Sequence, residues 1–131
     1  MIERLVRESR TVAVVGLSAD PRRPSAGVAR YLVSAGLTVF PVNPALSSWE
    51  GLTAYKSLAD VPEPIDIVDV FRRPEYVPGV AEEAVAAGAG ALWLQLGVIS
   101  LEAAMIASAG GLDVVMDRCF AVEHREVVGW S

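Results

Sequence analysis

Residues 11–15 read TVAVV, a continuous apolar and largely β-branched run that stops at Gly16. Such a run suits a strand covered on both faces, and strands of that kind belong to parallel sheets. Similar runs recur at Leu37–Val42 (LTVFPV), Ile65–Phe71 (IDIVDVF), Ala91–Leu96 (ALWLQL) and Leu112–Met116 (LDVVM). Helical patterns separate most of them. Ser25 stands in an N-cap position, Val28, Ala29, Leu32 and Val33 give a helix over 26–35 one apolar side, and Gly36 ends it. A second helix is predicted over Val77–Ala87, closed by Gly88. A third runs from a Ser100 cap to Ala109, closed by Gly110-Gly111. Met1–Ser9 reads as a short leading helix, Leu52–Tyr55 as a short edge strand, and Ser57–Val61 as one helical turn.

Strands alternating with helices predict an α/β chain: a three-layer sandwich on a mostly parallel sheet of five to six strands, with right-handed crossovers. The expected order is 3-2-1-4-5, with a sixth strand extending it. That order sets Thr11–Val15 beside Ile65–Phe71. Their carboxyl ends form the switch point at which such sheets hold ligands. The 131 residues fit one domain, 1–131, with no linker and no internal repeat. A chain of this length buries about two thirds of its unfolded surface, enough for one core. At 53% hydrophobic and 21% charged residues, it is not disordered.

Charge narrows the ligand. There are 11 basic and 16 acidic residues, net −5, which argues against a general nucleic-acid binder. The N-terminus, MIERLVRESR, has no apolar core of a signal peptide. The longest apolar stretch, Ala91–Leu112, is interrupted by Gln95, Gly97 and Glu102, so no membrane span is expected. One cysteine, Cys119, excludes an internal disulfide and a cysteine-based zinc site, and it suits a reducing, cytoplasmic compartment.

Ten of the 11 basic residues are Arg, the side chain best shaped for bidentate phosphate contacts. Four of the ten fall in two loops that the topology makes neighbours: Arg22 and Arg23 after the first strand, Arg72 and Arg73 after the fourth. The helix start at Ser25 aims its free N–H groups into the same space, which favours an anion. Adjacent arginines in loops are as a rule solvated or paired, and Asp20, Glu50 and Glu75 are close in sequence. Two or three charge-assisted contacts hold a ligand only at about millimolar to micromolar strength. A useful ligand therefore needs a stacking part too, and Pro44, Val70 and Phe71 offer a wall. These observations point to a phosphorylated nucleotide. The first loop reads G-L-S-A-D-P-R-R-P-S, without the second and third glycines of a dinucleotide fingerprint. The second strand ends in Val42-Asn43-Pro44, with no acidic residue for an NAD ribose. No Walker pattern is present. NAD(P) is disfavoured and stays as the alternative.

Taken in order, VAVVGLSADPRRPSAGVARYL, VFPVNP, LADVPEPIDIVDVFRR, LWLQLGV and GLDVVMDRC resemble the CoA-binding domain family. These are small proteins similar to the N-terminal domain of the succinyl-CoA synthetase alpha subunit and of ADP-forming acyl-CoA synthetases. The resemblance covers Thr11–Glu126. It implies a Rossmann-like fold holding coenzyme A or an acyl-CoA at the carboxyl ends of the strands. The phosphate-cradling role falls on Gly16, Leu17, Ser18, Arg22, Arg23 and Ser25. The corner Val42, Asn43, Pro44 flanks the ligand, and Val70, Phe71 and Arg72 border its adenine and ribose side. Gln95 and Gly97 are placed near the pantetheine arm. The ligase relatives often carry a lysine after the second strand; here that stretch is Asn43-Pro44-Ala45-Leu46, and arginines take its place.

Those ligases also need a phosphohistidine domain and usually an ATP-grasp partner. This chain has one histidine, His124, read as an ordinary tail residue. The expected function is non-catalytic binding of a small nucleotide cofactor, with no catalytic residue and no metal. A nucleotide-binding subunit of a multi-chain acyl-CoA ligase stands beside NAD(P) binding as an alternative. A homo-oligomer or a protein partner is left open. Cys119 is expected to be a buried apolar thiol, Asp117-Arg118 an ion pair, Asp69 a loop cap and Trp93 a core residue. Trp49 and Trp130 are candidates for a partner surface.

Overall fold

The computed structural model describes residues 1–129; Trp130 lies outside the described residues. In chain order the elements are α1 (Ile2–Glu8), β1 (Thr11–Val15), α2 (Pro24–Ser34), β2 (Thr38–Val42), β3 (Ser48–Trp49), β4 (Leu52–Thr53), β5 (Ile67–Val70), α3 (Val77–Ala86), β6 (Ala91–Leu94), α4 (Leu101–Ala109), β7 (Asp113–Val115) and α5 (Phe120–Val128). Short 3-10 turns at Leu58–Asp60 and Pro74–Tyr76 precede β5 and α3.

Five strands form one parallel sheet in the order β2-β1-β5-β6-β7. Alternation divides the core between the two faces. Val12, Val14, Ile67 and Trp93 point to the side covered by α1, α2 and α5. Ala13, Val15, Val68, Val70, Leu92 and Leu94 point to the side covered by α3 and α4. Each fully buried Val or Leu of this kind contributes about 1.5–3 kcal/mol. This is the expected three-layer α/β arrangement, and its strand order agrees for every strand but one. Leu52–Tyr55, expected as the edge strand, instead folds back on Ser48–Trp49. Glu50 and Gly51 both take positive φ, 43° and 85°, the geometry that closes a two-residue hairpin. Tyr55 alone reaches the sheet, in a single parallel bridge to Val42.

Two other expectations change. Trp49 is not on a free surface: it is buried against the α2 side of the sheet, with the Arg30 guanidinium 6.0 Å from its ring centre. His124 is not in a loose tail. It sits in α5, 6% exposed, with Nδ1 2.7 Å from the Tyr31 hydroxyl. Burial lowers its pKa.

Candidate functional site

The carboxyl ends of β1, β5 and β6 open into a cleft of about 990 Å3. Its geometry begins at Gly16, whose φ of +87° is one that L side chains rarely adopt. A Cβ there would also collide with the carbonyl oxygen of Phe71 and stand 2.9 Å from the Arg72 Cδ. The loops after β1 and β5 can thus touch only because residue 16 is glycine. Gly16 N–H donates to the Val42 carbonyl (2.9 Å), and Phe71 N–H donates to the Val15 carbonyl (2.9 Å).

The loop from Leu17 to Arg23 is held by its own side chains. Ser18 N–H donates to Ser25 Oγ (3.0 Å), and Asp20 N–H donates to Ser18 Oγ (3.0 Å). The sequence puts Ser25 at the cap and Ala26 first in α2, but the helix begins two residues earlier, at Pro24. Its fixed φ suits the first helical position. Arg23 becomes the N-cap, and Ser25 ties down the loop instead. No side chain caps the first turn of α2 and no acidic residue lies in it. The positive end of the helix therefore faces the cleft without an internal counter-charge.

The sequence-predicted residues separate into three groups. Gly16, Ser18, Arg23, Ser25, Asn43, Pro44, Phe71 and Arg72 all line the cleft. Leu17, Val42 and Val70 lie behind it in the core, where they support the loops. Arg22 turns away: its Nε and Nη2 donate to the Asp20 carboxylate at 3.1 Å each, with the side chain 89% exposed. Hydrogen bonds from Arg22 hold the Asp20 carboxyl below its usual range.

Asn43 has both amide groups in use. Nδ2 donates to the Leu17 carbonyl (2.9 Å), and Oδ1 accepts from Ala45 N–H (2.8 Å). It joins the loops after β1 and β2, and these two bonds fix the orientation of its amide. Arg73, one of the four clustered arginines, lines the cleft as well. Arg72 stacks over the Tyr76 ring at 4.6 Å, which orients its guanidinium. Neither Arg23 nor Arg73 has an ion-pair or hydrogen-bond partner for its side chain among the described residues.

The far wall comes from β6 and the segment before α5. Gln95 is buried, lines the cleft, and accepts from Phe120 N–H through Oε1 (2.9 Å). Leu96, Gly97 and Val98 continue that wall. Asp117, at φ 58°, accepts from Gly97 N–H at 2.7 Å. Arg118 reaches Glu123 at 3.4 Å, so Asp117 and Arg118 do not pair with each other as expected. Cys119 is only partly buried and lines the cleft, a correction to its expected place in the core. No periodicity distinguishes 117–119, because they cross the strand ends outside any element.

A model of the family described as CoA binding domain matches residues 10–125. The chain belongs to the CoA binding domain family. Its relatives span its length. The Bacillus subtilis (strain 168) protein YneT is 42% identical over 123 residues, 94% of this chain and 91% of that one. The solved structure of a hypothetical protein from Pyrococcus horikoshii OT3 superimposes with a TM-score of 0.95 at 34% identity, covering 98% and 90% of the two chains. The dinucleotide forming acetyl-coenzyme A synthetase 1 of Ca. Korarchaeum cryptofilum aligns with a TM-score of 0.78 at 26% identity. That match covers 95% of this CoA binding domain chain but only 30% of the synthetase. Among the described residues, no helix is long and apolar enough to cross a membrane.

Proposed function

We propose that the chain binds coenzyme A or an acyl-CoA in the cleft at the carboxyl ends of β1, β5 and β6, without catalysing a reaction on it. The observation that carries this reading is one cleft combining unpartnered Arg23 and Arg73, the uncapped start of α2 and an apolar wall, in a chain whose family is a CoA binding domain. Arg23, Arg72, Arg73 and the first turn of α2 meet the phosphates. Pro44 and Phe71 flank the base. Gln95, Gly97 and Val98 line the path of the pantetheine arm. Asn43 serves as a strut where a dinucleotide site would carry a carboxylate for the ribose, which weighs against NAD.

Thermal melting with a ligand panel tests the reading. At 100 times its Kd a ligand adds about 2.7 kcal/mol, a shift of several degrees for a chain of this size. Coenzyme A and acyl-CoA should raise Tm, while NAD(H) and NADP(H) should not. The reverse pattern overturns the proposal. Acyl-CoA and ATP incubated with the pure protein should both remain intact, and thioester cleavage or nucleotide turnover would refute the non-catalytic part. The partial match to a much longer synthetase favours one second reading, the nucleotide-binding part of a multi-chain ligase. Turnover that appears only on adding a partner chain would select it.

A further inference from the structure

A second pocket, of about 230 Å3, lies at the other end of the sheet. It is walled by Val6, Arg7, Ser9 and Arg10 from α1 and the turn into β1, by Ala35, Gly36 and Leu37 before β2, and by His124 and Val128 of α5. It therefore sits at the amino ends of β1 and β2, the full length of the strands away from the proposed cofactor cleft.

Its polar lining is one-sided. No Asp or Glu lines it, while two arginines and a histidine do. Ser9 and His124 are both more than nine-tenths buried, at 5% and 6% exposure. The Ser9 hydroxyl has no hydrogen-bond partner among the described residues. His124 engages Tyr31 through Nδ1, which leaves Nε2 as its remaining polar atom. Arg7 spends Nε on Glu3 (3.1 Å) and Nη2 on the Val127 carbonyl (3.3 Å). The Arg10 guanidinium has no partner among the described residues, although the Arg10 amide donates to Asp66 at 2.7 Å. Arg125, over the Tyr31 ring at 4.9 Å, adds a further cation behind the histidine. Of the carboxylates on and beside the elements that wall the pocket, Glu3 and Asp66 are engaged by these contacts, Glu123 reaches Arg118, and Glu8 on α1 and Glu126 on α5 are exposed to solvent.

The buried side-chain polar atoms without a partner among the described residues are those of Asp69, so the Ser9 hydroxyl and His124 Nε2 are reached from the pocket itself. A pocket lined by two guanidinium groups, a hydroxyl and an imidazole, with no carboxylate, suits an anionic acceptor. We infer that this pocket is a second ligand site, which takes a small oxyanion of the phosphate or phosphomonoester class, held by Arg10, Arg7, Ser9 and His124. The volume admits a tetrahedral oxyanion with room for a small substituent. Two guanidinium groups, with a hydroxyl and an imidazole beside them, hold such a group at about millimolar to micromolar strength.

The single histidine makes the test direct. Proton NMR follows the His124 ring from pH 4.5 to 8.5 in the full chain, in chloride and in inorganic phosphate at matched ionic strength. A second series uses methyl phosphate. Bound oxyanion should raise the His124 midpoint by about one pH unit, because it favours the imidazolium. Arg10→Ala should remove at least half of that rise, and Arg7→Ala with Arg10→Ala should remove nearly all of it. Both side chains are exposed, so the variants keep the fold, and the dispersed histidine signal reports it. Binding of coenzyme A should be unchanged in both. Equal midpoints in phosphate and chloride overturn the inference, as does a full rise in the double variant. A tighter response to methyl phosphate identifies a phosphorylated metabolite, and a tighter response to inorganic phosphate identifies the free ion.

Discussion

Asp69 is the residue whose environment its sequence position conceals most. On β5 it stands between Val14 and Trp93, fully buried on the α2 side of the sheet. Neither carboxyl oxygen has a hydrogen-bond partner among the described residues. Its place in the sequence suggests a loop cap, since an Asp near a strand end commonly caps. Residue 69 lies inside the strand, and alternation turns its side chain into the core beside Val14 and Trp93. Burial alone pushes its pKa well above the ordinary carboxyl value. The sign of the consequence follows from proton uptake. The folded state keeps the proton over a range in which the unfolded state, with a pKa of about 3.9, has lost it. Stability therefore falls as pH rises above about 4, by about 1.4 kcal/mol per pH unit until the folded carboxyl itself ionises. His124 acts in the opposite sense, because its lowered pKa makes stability rise with pH up to about 6.5, the unfolded value. Comparison with Asp69→Asn isolates the carboxyl. Denaturant midpoints at pH 5, 6, 7 and 8 should show a steeper decline for the wild type than for the variant. Parallel curves would mean that Asp69 is ionised in the fold.

At the scale of elements, the five main strands were legible because each is a short apolar run between turn residues. The helix starts were legible only in part. Ser25 and Ser100 look alike in sequence, each a serine before an apolar helical pattern. Ser100 does cap: its Oγ accepts from Ala103 N–H at 3.1 Å at the start of α4. Ser25 does not, because Pro24 moves the boundary. The missing edge strand has a similar local cause, the Glu50-Gly51 turn, which closes a hairpin before the chain can extend along β2. Ser100 is the one side-chain cap among the helices of the described residues. Ser100→Ala should cost about 1 kcal/mol, read as a lower denaturant midpoint with an unchanged slope. Ser25→Ala removes no cap but frees Ser18 and the loop beneath the cleft. It should cost ligand affinity more than stability, and equal losses in both variants would contradict that distinction.

For the molecule as a whole, the question raised by an acidic chain rich in arginine becomes one of competing ranges. The net charge of −5 repels a polyanionic cofactor at long range, while Arg23, Arg72 and Arg73 attract it within the cleft. The topology brings these arginines to one mouth, and that much was visible in the order of the strands. Which of them face it was not, because Arg22 and Arg23 differ only in whether Asp20 intercepts the side chain. Salt decides which range governs. At 0.1 M the Debye length is about 10 Å, so repulsion from the distant surface is already largely screened. Attraction inside the cleft is screened much less at that concentration and weakens as salt rises further. Coenzyme A affinity should therefore drop several-fold between 50 and 500 mM salt, whereas pantetheine, which lacks the nucleotide phosphates, should keep its affinity. Arg23→Ala combined with Arg72→Ala should weaken coenzyme A by about tenfold or more and flatten its salt dependence, since each charge-assisted hydrogen bond to a phosphate contributes about 1.5–3 kcal/mol. Arg22→Ala should leave both nearly unchanged. Isothermal titration at the two salt concentrations reads all of these together. Coenzyme A binding that strengthens with salt would show that the acidic surface, not the cationic cleft, controls the encounter.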